Sequence, residues 1–328
     1  MAWVILAAGL ALLVIGAEFV VRQGSALAAR LKVSPIVVGM TVVALGTSLP
    51  ELAIGLNAAS QGRGELAVGN IVGTNLVNIL LILGLAALLR PIEFDSRTLR
   101  VDLPMMVGAA VVMAALALDG ELSTTDGVLL TGYGILYLGV VLVLSARESR
   151  RTAAAPVSGA AANPRGTGAP LHPASPRVSV ELLLLLAGLA LVLVGSELLV
   201  DGAVEIASAI GASDAFIGLT VVAIGTSAPE LATAIVATIR GDRSLALGNL
   251  IGSSVFNIAL ILGPTVIAAP GAVPVPDELI AVDLLLMLGA AAVCIPAFWS
   301  HRRLGRVEGG LFVAAYGGYL AWLLATRL

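Results

Sequence analysis

The chain has 328 residues, of which 59% are hydrophobic and only 12% are charged, with a mean hydropathy of +1.04 and a formal net charge of −3. Soluble globular domains carry about 25% charged residues, so this composition excludes a soluble fold and indicates an integral membrane protein. The single cysteine, Cys294, excludes a disulfide framework and a cysteine-based metal site.

Long apolar runs recur along the chain between short polar breaks, and each is close to the roughly 20 residues that a helix needs to cross the hydrocarbon core. A transmembrane β-barrel would show shorter segments of alternating polarity, unlike the run ELLLLLAGLALVLVG at 181–195. We therefore predict an all-α integral membrane protein with ten transmembrane helices. The predicted spans are 3–21, 35–59, 65–89, 102–118, 126–146, 179–200, 215–239, 244–267, 278–299 and 309–326.

The basic residues predict the orientation of these spans. With the N-terminus and the C-terminus outside, only Arg63 and Arg327 of the 18 Lys and Arg residues fall outside, as the positive-inside rule requires. Segment 147–178 lacks aliphatic periodicity and is rich in Ala, Pro, Gly and Arg, so it is predicted to be a flexible cytoplasmic linker. We expect a multi-pass protein of the cell inner (plasma) membrane.

A shift of 179 residues aligns the chain with itself. Residues 39–84 and 218–263 align without a gap and are identical at 25 of 46 positions, which indicates a duplication. Five spans precede the linker and five follow it, so equivalent helices are predicted to cross the membrane in opposite directions. The predicted domains are a first five-helix repeat, 1–146, the linker, and a second five-helix repeat, 179–328. Inverted repeats of this kind are an architecture of secondary transporters.

Each repeat interrupts an apolar span with a polar motif, GTSLPE at 46–51 and GTSAPE at 225–230. The proline opens the helix and frees carbonyl oxygens about one turn earlier, and Thr and Ser add hydroxyl oxygens. The glutamate is costly in the bilayer unless it is paired or lines a site. Since these spans contain no Lys or Arg, we interpret a bound cation as the counter-charge. Oxygen ligands without a His or Cys cluster favour a hard cation such as Ca²⁺ or Na⁺.

The next helix of each repeat carries polar residues spaced by four, which lie on one helix face and can face the neighbouring carboxylate. These two stripes are Asn70, Thr74 and Asn78, and Asn249, Ser253 and Asn257. Glu18 and Glu197 lie near span ends. A glutamate side chain there can reach water, which explains a charged residue at these positions. Asp102 and Asp283 are expected to mark interfaces at the start of a span.

The two motifs resemble the signatures of the cation/calcium exchanger superfamily, in particular its sodium/calcium exchanger branch, which includes prokaryotic members. The resemblance implies a secondary active antiporter that exchanges Na⁺ for Ca²⁺ by alternating access, in which the first helices of the two halves slide across the remaining bundle. The ion-binding residues that it implies are the carboxylates of Glu51 and Glu230, the hydroxyl groups of Thr47, Ser48, Thr226 and Ser227, the backbone carbonyls of Ala44 and Ala223, and the side chains of Thr74, Asn78, Ser253 and Asn257.

Several alternatives stay open at this level. Some relatives, including potassium-dependent exchangers, carry Asp at the place of Asn257, and the neutral residue argues against K⁺ dependence. Two glutamates could also exchange protons, so an H⁺/Ca²⁺ antiporter is the alternative and a cation channel is less favoured. No nucleophile and base pair occurs in the repeats, so we expect neither an enzyme nor a cofactor. The expected partners are Ca²⁺, Na⁺ and the lipid bilayer, without nucleic acid.

Overall fold

A computed structural model describes residues 1–154, 178–209, 223–299 and 302–327. These residues form a bundle of helices that are joined by short loops. The helices are α1 (Ala2–Leu31), α2 (Pro35–Thr47), α3 (Leu49–Ser60), α4 (Gly64–Leu89), α5 (Thr98–Asp119), α6 (Thr124–Ala154), α7 (Val178–Ala209), α8 (Ala223–Thr226), α9 (Ala228–Arg240), α10 (Arg243–Ala268), α11 (Leu279–Pro296) and α12 (Arg306–Arg327).

Within the described residues, eight helices are long and apolar enough to cross a membrane, and α2 with α3 passes the same test as a pair bent by 42°. The prediction of an all-helical membrane protein is therefore confirmed. The predicted span 215–239 begins outside the described residues, which contain only its α8 and α9 portions. Most of the predicted linker, 147–178, also lies outside them, and its first residues continue α6 to Ala154. The count of ten spans and the placement of the termini stay predictions.

Helices α1 and α7, the first helices of the two repeats, pack along each other through glycine. A Cβ atom built on Gly9 would lie 2.5 Å from the backbone nitrogen of Leu199, and one built on Gly16 would lie 2.7 Å from that of Val192. Glycine allows two helix backbones to approach this closely. Rising residue numbers along α1 match falling numbers along α7, so the two helices run antiparallel.

Helices α4 and α10 form the centre of the bundle. In an apolar 18-residue stretch of each, 72% and 83% of the residues are buried inside the bundle. The corresponding share is at most 39% for the other spanning helices that the structure describes. Helix α2 of the first repeat lies directly on α10 of the second, since a Cβ atom on Gly39 would meet the Leu245 carbonyl oxygen at 2.5 Å and one on Gly252 would meet Met40 at 2.8 Å. This contact brings the first polar motif against the polar stripe of the opposite repeat.

Both central helices contain a π-helical segment, at Val77–Ile82 in α4 and at Asn257–Leu262 in α10. A π-helical turn widens the helix, shifts the direction of the side chains that follow, and is frequent at functional sites. The two segments lie at equivalent places in the repeats, and Asn78 and Asn257 fall within them. The helix geometry is therefore irregular at the same position of each repeat.

Four two-residue strands, which the sequence analysis did not predict, link loops that are distant in the chain. Strand β1 (Ile92–Glu93) pairs antiparallel with β4 (Arg303–Leu304), and β2 (Glu121–Leu122) pairs antiparallel with β3 (Val273–Pro274). The predicted topology puts the loops of β1 and β4 on the cytoplasmic side and those of β2 and β3 outside. Each pairing thus joins loops that this topology places on the same side.

Candidate cation-binding site

The two polar motifs break their helices at equivalent residues. Ser48 has φ −88° and ψ 9°, and Ser227 has φ −87° and ψ 6°, so neither continues the preceding helix. Pro50 and Pro229 each occupy the second position of the next helix, α3 or α9. The proline opening that the sequence predicts is present in both repeats, with its break one residue before the new helix.

A proline leaves the carbonyl four residues earlier without its usual helical donor. In the second repeat this carbonyl belongs to Gly225, and the hydroxyl of Ser196 on α7 donates to it at 2.8 Å. In the first repeat the equivalent carbonyl belongs to Gly46. The Ala44 carbonyl, a predicted ligand, accepts the backbone N–H of Ser48 at 3.1 Å and lies 3.4 Å from the Thr47 hydroxyl, so its helical hydrogen bond is retained.

The two glutamates lie at the centre of the bundle. Glu51 and Glu230 are both fully buried, and their carboxylates interact electrostatically. One oxygen of Glu230 is within 3.4 Å of the Ser48 hydroxyl and 3.5 Å of the Ser253 hydroxyl. The other three carboxylate oxygens have no hydrogen-bond partner among the described residues. Buried polar atoms are nearly always paired, so these oxygens point to a ligand that completes the site.

The other predicted ligand side chains are also buried. Thr47, Thr74, Ser227, Ser253 and Asn257 are all at most 3% exposed. The amide atoms of Asn78 and Asn257 and the hydroxyl of Ser227 lack hydrogen-bond partners within the part of the chain that the structure describes. The side chain of Thr226 is buried as well, and Ala223 begins helix α8. The structure thus buries these predicted side chains, and Ser48 and Ser253 form a polar core with Glu230.

A chain of hydrogen bonds, which the sequence analysis missed, links this core across the repeats. The Thr47 hydroxyl lies 3.2 Å from Oδ1 of Asn249, the Asn249 amide nitrogen donates to the Thr233 hydroxyl at 2.9 Å, and that hydroxyl donates to the Pro229 carbonyl at 2.8 Å. Asn249 belongs to a predicted stripe, whereas Thr233 has Ile54 at the equivalent place in the first repeat. This difference between the aligned repeats is the feature of the sequence that could have pointed to Thr233.

The acidic residues near span ends have different surroundings. Glu18 forms an exposed ion pair with Arg240, so the structure supplies its counter-charge without an ion. Glu197 lines a cavity of about 540 Å³ that also contacts Pro50 and Thr226. The cavity connects the exposed face of α7 with both polar motifs.

The structure places Asp102 and Asp283 inside the bundle, where they are at most 3% exposed. Asp102 lies 3.9 Å from the Arg97 guanidinium, and Asp283 accepts the Tyr319 hydroxyl at 2.7 Å. The first contact joins α5 to the residue that precedes it, and the second joins α11 to α12. Neither aspartate contributes to the core around Glu51.

The arrangement suits a cation held mainly by oxygen atoms of mixed type. In the described ranges, no group of three or more His, Cys, Asp or Glu side chains is placed to hold a metal ion. A cation in this core must therefore combine the two carboxylates with hydroxyl, amide or carbonyl oxygens. Such oxygen sets are the ligands that hard cations such as Ca²⁺ prefer.

Comparisons with known proteins cover nearly the whole chain. The family model described as sodium/calcium exchanger protein matches residues 1–143 and 180–325. Inner membrane protein YrbG of Escherichia coli is 37% identical over 325 residues, which span 98% of this chain and 96% of that protein. Sodium/calcium exchanger MaX1 of Methanosarcina acetivorans is 30% identical over 343 residues, 96% of this chain and 97% of that protein. The solved structure of the sodium/calcium exchanger from Methanococcus jannaschii superposes with a TM-score of 0.81 at 31% identity, over 98% of this chain and 97% of that one.

Proposed function

This chain belongs to the sodium/calcium exchanger protein family, and on that premise we propose that it is a secondary active antiporter that exchanges Na⁺ for Ca²⁺ across the inner membrane. Na⁺ and Ca²⁺ are its substrates in this proposal. The observation that carries it is the full burial of both Glu51 and Glu230, with three of their four carboxylate oxygens lacking a partner among the described residues. The inner membrane location is supported by the similarity to inner membrane protein YrbG of Escherichia coli.

Charge balance explains why such a site exchanges ions. Two ionised carboxylates in an apolar bundle are strongly unfavourable without a counter-charge, and the four spans that carry the motifs contain no Lys or Arg. One Ca²⁺ or a set of Na⁺ ions compensates the same two carboxylates, so the two ions compete. An empty carrier would have to move two uncompensated charges through the bilayer, so it reorients only when it is loaded. Obligatory exchange follows.

Neutral oxygens favour Na⁺ over H⁺ as the coupling ion. A proton needs only the carboxylates, whereas Na⁺ requires several oxygen ligands, and hydroxyl groups surround Glu230. The opposite reading, an H⁺/Ca²⁺ antiporter, uses Glu51 and Glu230 alone. The two readings therefore differ in whether a pH gradient drives Ca²⁺ movement without Na⁺.

We propose alternating access in a ten-span bundle of two inverted repeats with both termini outside. The antiparallel course of α1 and α7 supports the inverted orientation, and the strand pairings support the assignment of loops to sides. In this proposal, α1 and α7 move as a pair across the helices that carry Glu51 and Glu230. The cavity at Pro50 and Thr226 is then the aqueous access from one side.

The test is ⁴⁵Ca²⁺ uptake into proteoliposomes loaded with Na⁺ and diluted into Na⁺-free buffer. Uptake is expected for the wild type, and Glu51→Gln and Glu230→Gln are expected to lower Ca²⁺ affinity by about 100-fold or more, because each leaves the remaining site without a full counter-charge. Glu65→Gln is the matched control, since Glu65 is exposed in the first turn of α4.

Three results would contradict the proposal in different ways. Normal transport by both core variants would remove the role of the carboxylates. Uptake that follows a pH gradient and ignores the Na⁺ gradient would establish proton coupling. Flux without any counter-ion, at rates far above carrier turnover, would establish a channel.

A further inference from the structure

The geometry points to Asn249 and Thr233 as positioning residues that fix the direction of the Thr47 hydroxyl in the cation site. This inference rests on the proposed function, because it assigns the orientation of one ligand in that site. All three side chains are at most 2% exposed, so water does not compete for their hydrogen bonds. Asn249 and Thr233 belong to the second repeat and Thr47 to the first.

The position of each proton along the chain of hydrogen bonds follows from which groups can donate and which can only accept. The Thr233 hydroxyl has one proton, and it lies 2.8 Å from the Pro229 carbonyl and 3.1 Å from the Glu230 carbonyl. Both neighbours can only accept, so Thr233 donates to them and its oxygen accepts from elsewhere. With its proton directed to these carbonyls, the Thr233 oxygen accepts the amide nitrogen of Asn249 at 2.9 Å. In this arrangement Oδ1 of Asn249 faces Thr47.

The hydrogen bond to Asn249 determines whether Thr47 directs its proton or its oxygen lone pair towards an ion. Oδ1 of Asn249 has no proton, so the Thr47 hydroxyl donates to it across 3.2 Å. The competing acceptors for its proton are the Ala44 carbonyl, at 3.4 Å, and the Glu230 carboxylate. When the proton is held by Asn249, the Thr47 oxygen and Oε2 of Glu230 are both available to a cation. When Asn249 is removed, Thr47 can donate to the Ala44 carbonyl or to Glu230 and occupy a lone pair that the cation needs.

The first repeat lacks this device. Ile54 stands at the position equivalent to Thr233, and the amide nitrogen of Asn70, the equivalent of Asn249, has no partner among the described residues. The two motifs are thus similar in sequence but different in constraint. In the second repeat the chain of hydrogen bonds ends on the helix backbone at Pro229, and Ile54 has no hydroxyl with which to form the equivalent link in the first repeat.

The test is equilibrium ⁴⁵Ca²⁺ binding and Na⁺-driven uptake by purified full-length variants. Thr233→Val keeps the shape of the side chain and removes the hydroxyl, and it is expected to weaken Ca²⁺ binding by about five-fold, the value of one ordinary hydrogen bond. Thr233→Ser is expected to restore wild-type affinity. Thr238→Val is the matched control, because Thr238 is a fully buried residue of the same helix whose hydroxyl has no partner in the described residues.

A double variant separates positioning from packing. If Thr233 acts through Thr47, then Thr47→Val combined with Thr233→Val binds Ca²⁺ as Thr47→Val does alone. Additive losses would overturn the inference, as would equal affinities of Thr233→Val and Thr238→Val. If Thr233→Val does not fold, Asn249→Ala breaks the next link of the chain and must give the same loss without adding to Thr47→Val. A wild type that binds no Ca²⁺ overturns the proposed function as well, whereas normal binding with no effect of the chain overturns this inference alone.

Discussion

Substitution of Gly195 by alanine is expected to force α1 and α7 apart. The added Cβ atom would lie 2.6 Å from the Leu13 nitrogen and 2.9 Å from the Gly9 carbonyl oxygen. Both are backbone atoms, so no side-chain rotation relieves the contact. Non-bonded heavy atoms prefer about 3.5 Å or more, and the helices must therefore separate by roughly 1 Å at this point.

The free energy of unfolding should fall by the cost of overpacking, about 1–3 kcal/mol. For a protein of this size such a change lowers the melting temperature by about 1.5–4 °C. The measurement is thermal unfolding of the detergent-purified variant, followed by tryptophan fluorescence or by loss of the monodisperse peak after heating. The same preparation gives Na⁺-driven Ca²⁺ uptake, which should fall because the α1 and α7 pair no longer fits against the helices that carry the glutamates.

Gly139→Ala on α6 is the matched control. A Cβ atom there meets nothing within 4 Å, and the residue is exposed on the surface of the bundle. This variant gains helix propensity and loses no contact, so its melting temperature should stay at or slightly above that of the wild type. If Gly195→Ala is as stable as Gly139→Ala, the close packing of α1 on α7 is refuted.

Two further predictions concern buried hydrogen bonds. Tyr319→Phe removes the 2.7 Å hydrogen bond to Asp283 and should lower the unfolding free energy by about 1–2 kcal/mol. The Tyr137 hydroxyl has no partner among the described residues, so Tyr137→Phe should lose less stability in the same melting assay. Ser196→Ala removes the donor to the Gly225 carbonyl and should cost about 1 kcal/mol; an unchanged melting temperature would show that this carbonyl finds another donor.

The hydrophobic runs predicted the helices well because the bilayer imposes both their length and their composition. The helix ends were predicted less well. Helix α1 continues to Leu31, beyond the predicted end at residue 21, because a helix can leave the hydrocarbon and continue into water with polar side chains. Its actual end is marked by Lys32, whose φ of 56° is left-handed. Hydropathy detects the embedded part of a helix and contains little information on such a C-cap.

The strand pairings were beyond sequence reasoning for another reason. Strands β1 and β4 contain two residues each and are separated by most of the chain. A period-two pattern cannot be recognised in two residues, and nothing local specifies a partner so distant in sequence. The fold of the bundle brings the loops together, and the pairing is a consequence of that fold.

The candidate site shows the same division between local and non-local information. The motifs identified Glu51 and Glu230 because a carboxylate within an apolar span has few explanations. Ser253 of the second polar stripe lies 3.5 Å from the Glu230 carboxylate of its own repeat, and Ser48 of the first motif reaches the same carboxylate from the opposite repeat. Only the packing of α2 on α10 determines this crossing.

Duplication also conceals differences between the two halves. Where the repeats are identical, their residues look equivalent, and symmetry arguments assign them the same role. Thr233 and Ile54 occupy one of the aligned positions at which the repeats differ, and there one half gains a hydrogen bond to Asn249 that the other cannot form. The positions where a repeat departs from its twin are therefore the ones at which the two halves of such a site can take different roles.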